Sequence, residues 1–313
     1  MGFESDIPTI VFTQENTKPG TPSYATTCRQ VIHALERFGL FLATYDPEKL
    51  PIAVHDETFS VVRELFDLPT ETKVKNRYDK PLNGYVGQIA KLPLHESLGI
   101  DDAPSLEGTQ KFTDVLWPEG NARFCNLINA YAKLSEEIDR TVARMIFDGY
   151  GVGKYYDSYI SSTTYLLRLL KNRAPKEGEH NLGFIHHTDK SFTTIVHQHG
   201  EVNGLEVETK DRDWILVKLS SSNFVVMAGD ALMAWSNDRI KSPNHKVTIH
   251  GDEDRYSLAQ FAFNNGTLEV PAELVDDDHP LKYKPFDHLG LLRFFRTDEG
   301  YKAECPIKAY CGV

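Results

Sequence analysis

Hydrophobic positions in the first half of the chain follow helical spacing. Apolar residues recur there every three or four positions, which is typical of helices that bury one face. The pattern predicts a helix over residues 21–39, a second over 59–66 and a long third over 122–149. Two short strands are expected beside the first helix, at residues 8–12 and 39–43.

The segment from residue 80 to residue 120 shows no sustained period. Glycines, prolines and isolated aromatic residues alternate in it, so we expect loops with short strands. Long loops in compact domains are often functional, which makes this segment a candidate cover for a binding site. An ordinary surface excursion fits the same pattern equally well.

After residue 153 the pattern changes to short apolar runs separated by turn residues. Intervals of roughly eight to twelve residues between such runs are typical of a β-sandwich or jelly roll. The predicted strands cover residues 163–170, 191–197, 204–208, 214–219, 223–227, 246–250 and 256–263. Strands and helices do not alternate and no glycine-rich phosphate loop follows a strand, which argues against a doubly wound nucleotide-binding fold. A last amphipathic helix is predicted over residues 285–296.

Composition and charge narrow the classes of protein and partner. The 313 residues are 41% hydrophobic, which allows a sizeable core in one large domain or two small ones. The net charge of −11 argues against nucleic acid or an anionic membrane as a partner, since either requires a basic face. No apolar run reaches the ~20 residues of a membrane span, the first six residues lack the apolar core of a signal peptide, and the cysteines show no Cys-x-x-Cys spacing. We therefore expect a cytoplasmic protein with reduced thiols.

A histidine and an aspartate stand two residues apart in the strand-rich half, at His187 and Asp189. They lie within residues 183–196, a run whose β-branched and aromatic residues are typical of a strand or its end. Residues i and i+2 of a strand point to one face, so an imidazole and a carboxylate would converge. With 12 histidines and 45 acidic residues, about one or two such pairs arise by chance. The second pair, His250 and Asp252, lies in a polar turn, where we expect a solvated loop.

A third candidate ligand, His245, stands at the start of a later predicted strand. Arg255 and Ser257 begin the next strand, again two residues apart on one face. The guanidinium fork of arginine suits a carboxylate, and a serine hydroxyl can add a further hydrogen bond. Two histidines and one carboxylate with open positions form the facial triad of non-haem Fe(II) oxygenases. A carboxylate clamp beside them indicates an acidic co-substrate that chelates the metal.

A zinc hydrolase is the alternative reading of the same three ligands. No His-Glu-x-x-His helix is present in the sequence, and the arginine–serine pair has no evident role in such an enzyme. Iron is therefore favoured over zinc.

Motifs along nearly the whole chain resemble the plant 2-oxoglutarate- and Fe(II)-dependent dioxygenases. In the N-terminal part they are Ile7-Pro-Thr-Ile-Val11, Leu35-Glu-Arg-Phe-Gly-Leu-Phe41 and Leu65-Phe-Asp-Leu-Pro69. In the second half they are His187-Thr-Asp189, Ala228-Gly-Asp230, Trp235-Ser-Asn237, His245 and Arg255-Tyr-Ser257. Four stretches resemble one branch, which contains the glucosinolate side-chain dioxygenases that produce alkenyl and hydroxyalkyl groups, and a steroidal alkaloid hydroxylase. These stretches are residues 112–120, 187–191, 204–207 and 311–313.

The resemblance implies a mainly β fold with α-helical parts. Its core is a double-stranded β-helix, or jelly roll, with a helical N-terminal region and a C-terminal helix. The implied division is an N-terminal non-haem dioxygenase region at 1–120, a scaffold helix at 121–160, the Fe(II)/2-oxoglutarate core at 161–270, and a C-terminal helix and tail at 271–313.

The resemblance also implies ligands and partners. His187, Asp189 and His245 would bind Fe(II), Arg255 and Ser257 would hold the distal carboxylate of 2-oxoglutarate, and ascorbate would serve as reductant. The remaining expected partners are O2 and a small-molecule substrate, bound to a monomer.

One stretch departs from the family pattern. Many members carry Arg-x-Asn-x-Tyr, whose tyrosine helps to hold 2-oxoglutarate. Aligned on Arg168, this chain has Leu170 and Asn172 at the last two named positions. Asn172 is therefore a candidate contact of the co-substrate, and Tyr165, another group or a water molecule is the alternative.

The implied reaction is the hydroxylation or desaturation of a small, largely apolar specialised metabolite, with succinate and CO2 as co-products. We expect the 84–98 loop, the C-terminal helix and barrel residues to line its pocket. The candidate contacts are Tyr85, Phe192, Phe263 and Phe294, and plain core packing is the alternative for each.

Two other functions stay open at this point. One is an oxidase of the same fold that does not use 2-oxoglutarate, in which Arg255 and Ser257 would bind the substrate carboxylate. The other is a catalytically silent binding protein, against which the intact set of three ligands argues. Succinate formation separates the first of these from a 2-oxoglutarate-dependent enzyme.

Overall fold

A computed structural model describes residues 7–44 and 52–313. The first six residues, on which the signal-peptide expectation rests, lie outside these ranges. Within them the helices are α1 (Pro22–Phe38), α2 (Ile52–Asp67), α3 (Thr70–Lys73), α4 (Leu106–Leu116), α5 (Ala122–Gly149), α6 (Tyr156–Ser161), α7 (Asp230–Trp235), α8 (His288–Phe295), α9 (Asp298–Lys302) and α10 (Pro306–Cys311). None of these described helices combines the length and the apolar character that crossing a membrane requires.

Thirteen strands lie in the described ranges. They are β1 (Thr9–Val11), β2 (Leu40–Thr44), β3 (His95–Asp101), β4 (Thr163–Asn172), β5 (Leu182–His187), β6 (Thr193–Gln198), β7 (Leu205–Glu208), β8 (Trp214–Leu216), β9 (Asn223–Ala228), β10 (His245–Thr248), β11 (Arg255–Asn264), β12 (Thr267–Leu268) and β13 (Phe286–Asp287). A seven-stranded sheet has the order β1-β2-β9-β6-β11-β4-β3, and a four-stranded sheet has the order β5-β10-β7-β8. Inward side chains from both sheets line one cavity, as in a jelly roll.

The first helix shows how local sequence sets the bounds that its pattern predicts. The hydroxyl of Thr21 accepts a hydrogen bond from the backbone N–H of Tyr24, and Pro22 occupies the first helical turn. Gly39 ends the helix with a φ of 74°, a left-handed conformation that suits glycine. A Cβ there would also collide with the backbone of Lys241 and the ring of Pro243.

Helix α5 is the scaffold behind the large sheet. Its apolar stripe is buried against α1, α2 and α4 on one side and against β6 and β11 on the other. One buried carboxylate, Asp139, interrupts the stripe and accepts hydrogen bonds from the hydroxyls of Tyr165 and Thr193. Burial raises the pKa of Asp139 to about 6. These bonds tie the helix to strands β4 and β6.

The segment from 80 to 120 contains more regular structure than its sequence predicts. Strand β3 pairs with β4 at the edge of the large sheet, and α4 follows it. The hydrophobic pattern does not predict helix α4, because two of its buried positions are threonines, Thr109 and Thr113, which give no apolar signal. Their hydroxyls donate to the backbone carbonyls of Ala103 and Thr109, so both polar groups are satisfied inside the core.

Candidate metal centre and active site

Three candidate ligands meet at one end of the cavity. His187 is the last residue of β5, and His245, the first residue of β10, lies opposite it in the antiparallel register. Asp189 lies in the loop after β5, so the turn of this loop, and not strand alternation as predicted, brings its carboxylate to the histidines. Its Oδ1 lies 3.6 Å from Nε2 of His187 and 3.8 Å from Nε2 of His245. One potential ligand atom from each of the three residues lies within 4.8 Å of those of the other two.

Each of the three side chains is oriented by a hydrogen bond to a further group, on the atom that does not face the other ligands. Nδ1 of His187 lies 2.9 Å from the carbonyl oxygen of Ile185, and Nδ1 of His245 lies 3.2 Å from that of Pro243. Donation by each Nδ1–H leaves Nε2 unprotonated and directed at the shared space.

The carboxylate is oriented in the same way. Thr194 donates its hydroxyl to Oδ2 of Asp189 at 2.7 Å, which leaves Oδ1 toward the two imidazoles. Two imidazole nitrogens and one carboxylate oxygen form a donor set that suits Fe(II).

The protonation states agree with metal binding. Burial, together with the neighbouring His187, lowers the pKa of His245 to about 4, so its imidazole is neutral at pH 7. Burial alone would raise the pKa of Asp189. The two histidines and the hydroxyl of Thr194 outweigh burial and hold this pKa below its usual range. The site therefore presents the neutral imidazole of His245 and an ionised carboxylate at pH 7.

A buried ion pair fixes the loop that carries Asp189. The ammonium group of Lys190 lies 2.9 Å from a carboxylate oxygen of Asp230, and both side chains are buried. Lys190 also donates to the carbonyl and the hydroxyl of Thr188, and the backbone N–H of Asp230 donates to the carbonyl of Asp189. Sequence reasoning did not assign this pair a role, although both residues stand in the motifs quoted above.

Arg255 places a guanidinium in the same cavity. Its Nη1 donates to Oγ of Ser257 at 3.0 Å, and its Nε donates to Oε1 of Gln198 at 3.2 Å. Among the described residues no carboxylate lies within ion-pair distance of it. Burial lowers the pKa of Arg255 to about 10, which leaves it charged at pH 7. A buried guanidinium without an anionic neighbour is costly, so this place suits a carboxylate ligand.

The cavity that joins these groups has a volume of about 380 Å³. Besides the ligands and arginines, most of its lining side chains are aliphatic or aromatic. They include Leu82, Val86, Leu166, Leu170, Phe184, Ile185, Val196, Leu205, Met227, Val247, Phe261, Phe263 and Phe295. The wall suits an apolar molecule of modest size.

Of the four aromatic residues proposed as substrate contacts, one lines this cavity. Phe263 does so from β11, whereas Phe294 lies outside it and packs on Tyr310. Tyr85 is also outside, and its hydroxyl donates to Glu96 at 2.8 Å. Their neighbours Val86 and Phe295 line the wall in their place.

The fourth aromatic residue, Phe192, is fully buried in the core on the other side of the sheet. Its ring packs against Tyr159 and Trp235 with centroid separations of 4.5 and 5.6 Å. The prediction that it contacts substrate is therefore corrected. Phe192 precedes the first residue of β6, so the alternation that turns Thr194 and Val196 inward does not extend to it.

Asn172 lies in the cavity beside the clamp, in register with Arg255 on β11 and with His95 on β3. Its Nδ2 donates to the carbonyl of Gly183 at 2.9 Å. Tyr165, named above as an alternative contact, projects from the opposite face of β4 and bonds to Asp139. Tyr165 does not line the cavity, so that alternative is wrong.

The second histidine–aspartate pair lies in a surface loop, as its turn composition predicts. The side chain of His250 is 59% exposed and lies 3.8 Å from Glu206. This loop is separate from the three converging ligands.

Comparison with known proteins agrees with this geometry. A family model for the 2OG-Fe(II) oxygenase superfamily matches residues 163–264. A second, described as the non-haem dioxygenase in morphine synthesis N-terminal, matches residues 7–120. The Arabidopsis thaliana protein "Probable 2-oxoglutarate-dependent dioxygenase AOP1" is 39% identical over 97% of this chain and 95% of its own length. The 2-oxoglutarate-dependent dioxygenase AOP2 of the same plant is 30% identical over 98% of both chains.

Solved structures show the same fold. The rice dioxygenase for auxin oxidation has a TM-score of 0.81 and 26% identity, over 98% of this chain and 100% of its own. The Arabidopsis enzyme AtDAO1 in complex with 2-oxoglutarate has a TM-score of 0.77 and 27% identity, over 88% of this chain and 99% of its own. These similarities confirm the predicted jelly roll.

The chain belongs to the 2-oxoglutarate- and Fe(II)-dependent dioxygenases. Its relatives AOP1 and AOP2 come from a plant and carry the name of this activity, which confirms the resemblance found in the motifs. Fe(II) and 2-oxoglutarate are the metal and the co-substrate of the family, and the donor set and the unpaired Arg255 fit both. The zinc alternative is therefore set aside.

Proposed function

We propose that His187, Asp189 and His245 bind Fe(II), and that Arg255 and Ser257 hold the distal carboxylate of 2-oxoglutarate. The substrate would occupy the rest of the cavity, which suits a small, largely apolar metabolite that the enzyme hydroxylates or desaturates. One observation carries the proposal: three oriented metal ligands and a buried, unpaired guanidinium share one apolar cavity.

When bound, Fe(II) would activate O2, the oxidant, while 2-oxoglutarate would give up two electrons and leave as succinate and CO2; this chemistry would remove hydrogen from a substrate C–H bond. The chain's own residues position these groups. The carbonyls of Ile185 and Pro243 keep both Nε2 atoms free, and Thr194 keeps Oδ1 of Asp189 turned to the metal position. The apolar wall excludes water from the reacting C–H bond and restricts how the substrate lies.

Asn172 is proposed as a further contact of the co-substrate, because it stands beside Arg255 in the register of the sheet. Its Nδ2 donates to the carbonyl of Gly183 and lies 3.4 Å from Nδ1 of His95, so the contribution would come from its Oδ1 through a water molecule. Ascorbate is the proposed reductant that keeps the iron in the ferrous state.

We also propose that the protein acts as a cytoplasmic monomer. Its four cysteines are free, and three of them are buried, which suits a reducing compartment. Gel filtration of the purified protein tests the monomer, and a fluorescent fusion tests the compartment.

The test of the activity is succinate release. Purified protein is supplied with Fe(II), ascorbate, 2-oxoglutarate and a plant metabolite extract, and the products are analysed by mass spectrometry. We expect succinate to rise with the extract, and one metabolite to gain one oxygen or lose two hydrogens.

Two matched variants control the assay. His187→Ala should abolish succinate release, whereas His250→Ala, which changes an exposed histidine away from the cavity, should leave it unchanged. No succinate from iron-loaded protein with any extract would overturn the proposal in favour of an oxidase with another reductant or of a binding protein.

A further inference from the structure

A second guanidinium, that of Arg168, lies in the cavity at a distance from the clamp. Arg168 projects inward from β4, four residues before Asn172, which pairs with Arg255. At ~3.3 Å per residue the two backbone positions are about 13 Å apart along the strands. The two arginines therefore stand at separate places on the same wall.

The hydrogen-bond partners of Arg168 are all neutral. Its Nη1 donates to the carbonyl of Leu82, and its Nη2 donates to the carbonyl of Gly84 at 3.2 Å and to Oγ of Ser97 at 2.6 Å. No carboxylate of the described residues forms an ion pair with it. Burial lowers the pKa of Arg168 to about 10, and the group stays cationic at pH 7.

Small cross-strand neighbours make room for the Arg168 side chain and for the loop that binds it. The cross-strand neighbours of Arg168 are Gly99 on β3 and Ala259 on β11, which have the smallest side chains available. A Cβ on Gly99 would collide with the backbone of Asn83, so the glycine admits the loop whose carbonyls bind Arg168. Three of the five N–H groups of the guanidinium make these bonds, whereas the Nε–H and the second Nη1–H have no hydrogen-bond partner among the described residues, and the side chain lines the cavity.

The other charges of the cavity have partners once the proposed ligands are bound. Lys190 is paired with Asp230, Asp189 faces the metal position, and Arg255 faces the co-substrate. Among the described residues that line the cavity, Arg168 alone keeps a charge without an anionic partner, and its partial burial in a largely apolar wall favours an anion there.

We infer that Arg168 binds an oxyanion of the substrate, so that the substrate is an organic anion with an apolar body. This inference rests on the proposed function for the location of the substrate, and it narrows the substrate from an apolar metabolite to an amphipathic anion. A carboxylate and a sulfate share the required chemistry: planar or tetrahedral oxygens that accept charged N–H donors.

The alternative role of Arg168 is to fasten the loop at residues 82–84. That role makes no distinction between charged and neutral ligands of the same shape. Binding of an anion by Arg168 does distinguish charged from neutral ligands, and the experiment measures this difference in affinity.

The test is calorimetric titration under anaerobic conditions of protein loaded with Fe(II) and saturating 2-oxoglutarate. The probes share one apolar body, a 4-phenylbutyl group: 5-phenylpentanoate, 4-phenylbutyl sulfate and the neutral 5-phenylpentanamide. We expect at least one anion to bind about 10-fold or more tightly than the amide, as for a charged hydrogen-bonded pair. The affinities of the carboxylate and sulfate probes show which oxyanion is preferred.

Three variants test whether Arg168 is responsible for the preference for anions. Arg168→Gln should lose the preference for the anion, and Arg168→Lys should reduce it by about threefold or more, because the charge remains without the fork. Arg173→Gln, which removes an arginine paired with Glu179 outside the cavity, should keep it. Unchanged affinity for 2-oxoglutarate shows that a variant is folded.

Equal binding of the amide and both anions by the wild-type protein would overturn the inference. So would an anion preference that survives in Arg168→Gln or stays undiminished in Arg168→Lys. Because binding is read without turnover, these outcomes are distinct from a failure to form succinate, which would count against the proposed function.

Discussion

Arg255 shows how a single buried charge specifies a ligand. Its neighbours Ser257 and Gln198 orient the guanidinium without neutralising it, and no described carboxylate lies within ion-pair distance. Its surroundings therefore suit an anion, and we propose that this anion is the distal carboxylate of 2-oxoglutarate.

Replacement of this arginine tests the assignment. Arg255→Ala should raise the 2-oxoglutarate concentration for half-maximal succinate release by about 10- to 100-fold, because the carboxylate loses its charged donors. Arg212→Ala removes an exposed arginine from the turn between β7 and β8 and should have no effect. An unchanged 2-oxoglutarate requirement in Arg255→Ala would remove this residue from the co-substrate site.

Variants of two phenylalanines distinguish a residue of the core from a residue of the cavity wall. Phe192→Ala should lower the free energy of unfolding by about 3–5 kcal/mol, since the ring fills the core beside Tyr159 and Trp235. Phe263→Ala should alter the Michaelis constant for the substrate and cost less stability, because one side of that ring faces the cavity. Urea unfolding and initial-rate kinetics of both variants measure these effects, and the reverse pattern would contradict the placement of the two rings.

At the scale of single residues, the sequence predicts which chemical groups form the site more clearly than it predicts the direction in which each side chain points. The spacing and residue types of His187, Asp189, His245 and Arg255 predict their convergence. Strand alternation alone places Tyr165 and Arg168 on opposite faces of β4, since they are three residues apart, but which of these faces lines the cavity follows only from the packed structure.

At the scale of elements, α8 is joined to the site through one histidine. His288 is fully buried at the start of the helix. Its Nδ1 accepts from the backbone N–H of Asn264 at 3.0 Å, and its Nε2 donates to the carbonyl of Lys190 at 2.8 Å. The helix that carries Phe295 into the cavity wall is thereby fixed to β11 and to the loop beside Asp189.

This histidine gives the fold a defined pH dependence. Burial lowers the pKa of His288 from 6.5 to about 4, so the unfolded chain takes up its proton first as the pH falls. The stability that it contributes is nearly complete at pH 7.5 and decreases as the pH falls through 6.5 toward 4, by about 2 kcal/mol between pH 7.5 and 5.

His288→Gln keeps an acceptor and a donor but does not titrate. Urea unfolding of both proteins at pH 7.5 and 5.0 should show a smaller loss of stability in the variant. Equal losses would mean that His288 does not carry this part of the pH dependence.

Elements with a continuous apolar stripe are the ones that the sequence predicts well, notably α1 and α5. Strand β3 contains His95, Glu96, Ser97 and Gly99, and its place at the edge of the sheet depends on pairing with β4. Such long-range pairing leaves no local signal. The short helices α9 and α10 have too few residues for a period to appear.

At the scale of the whole molecule, the helical layer and the two sheets have distinct tasks. Helix α5 and its neighbours cover one face of the large sheet, and the Asp139 bonds hold this layer to the barrel. The opposite face of the sheet and the small sheet enclose the cavity, so that the proposed metal ligands, the proposed clamp and Arg168 all line it. The overall class followed from turn spacing and motifs, whereas the charge pattern of the cavity required the packed structure.

The most direct measurement of the central claim is an anaerobic calorimetric titration with Fe(II), followed by 2-oxoglutarate. The wild-type protein should bind one Fe(II) and then one 2-oxoglutarate per chain. Asp189→Ala should lose the metal, whereas Arg255→Ala should keep it and bind 2-oxoglutarate about 10-fold or more weakly. Wild-type affinity for Fe(II) in Asp189→Ala would contradict the assignment of this cavity as the iron site.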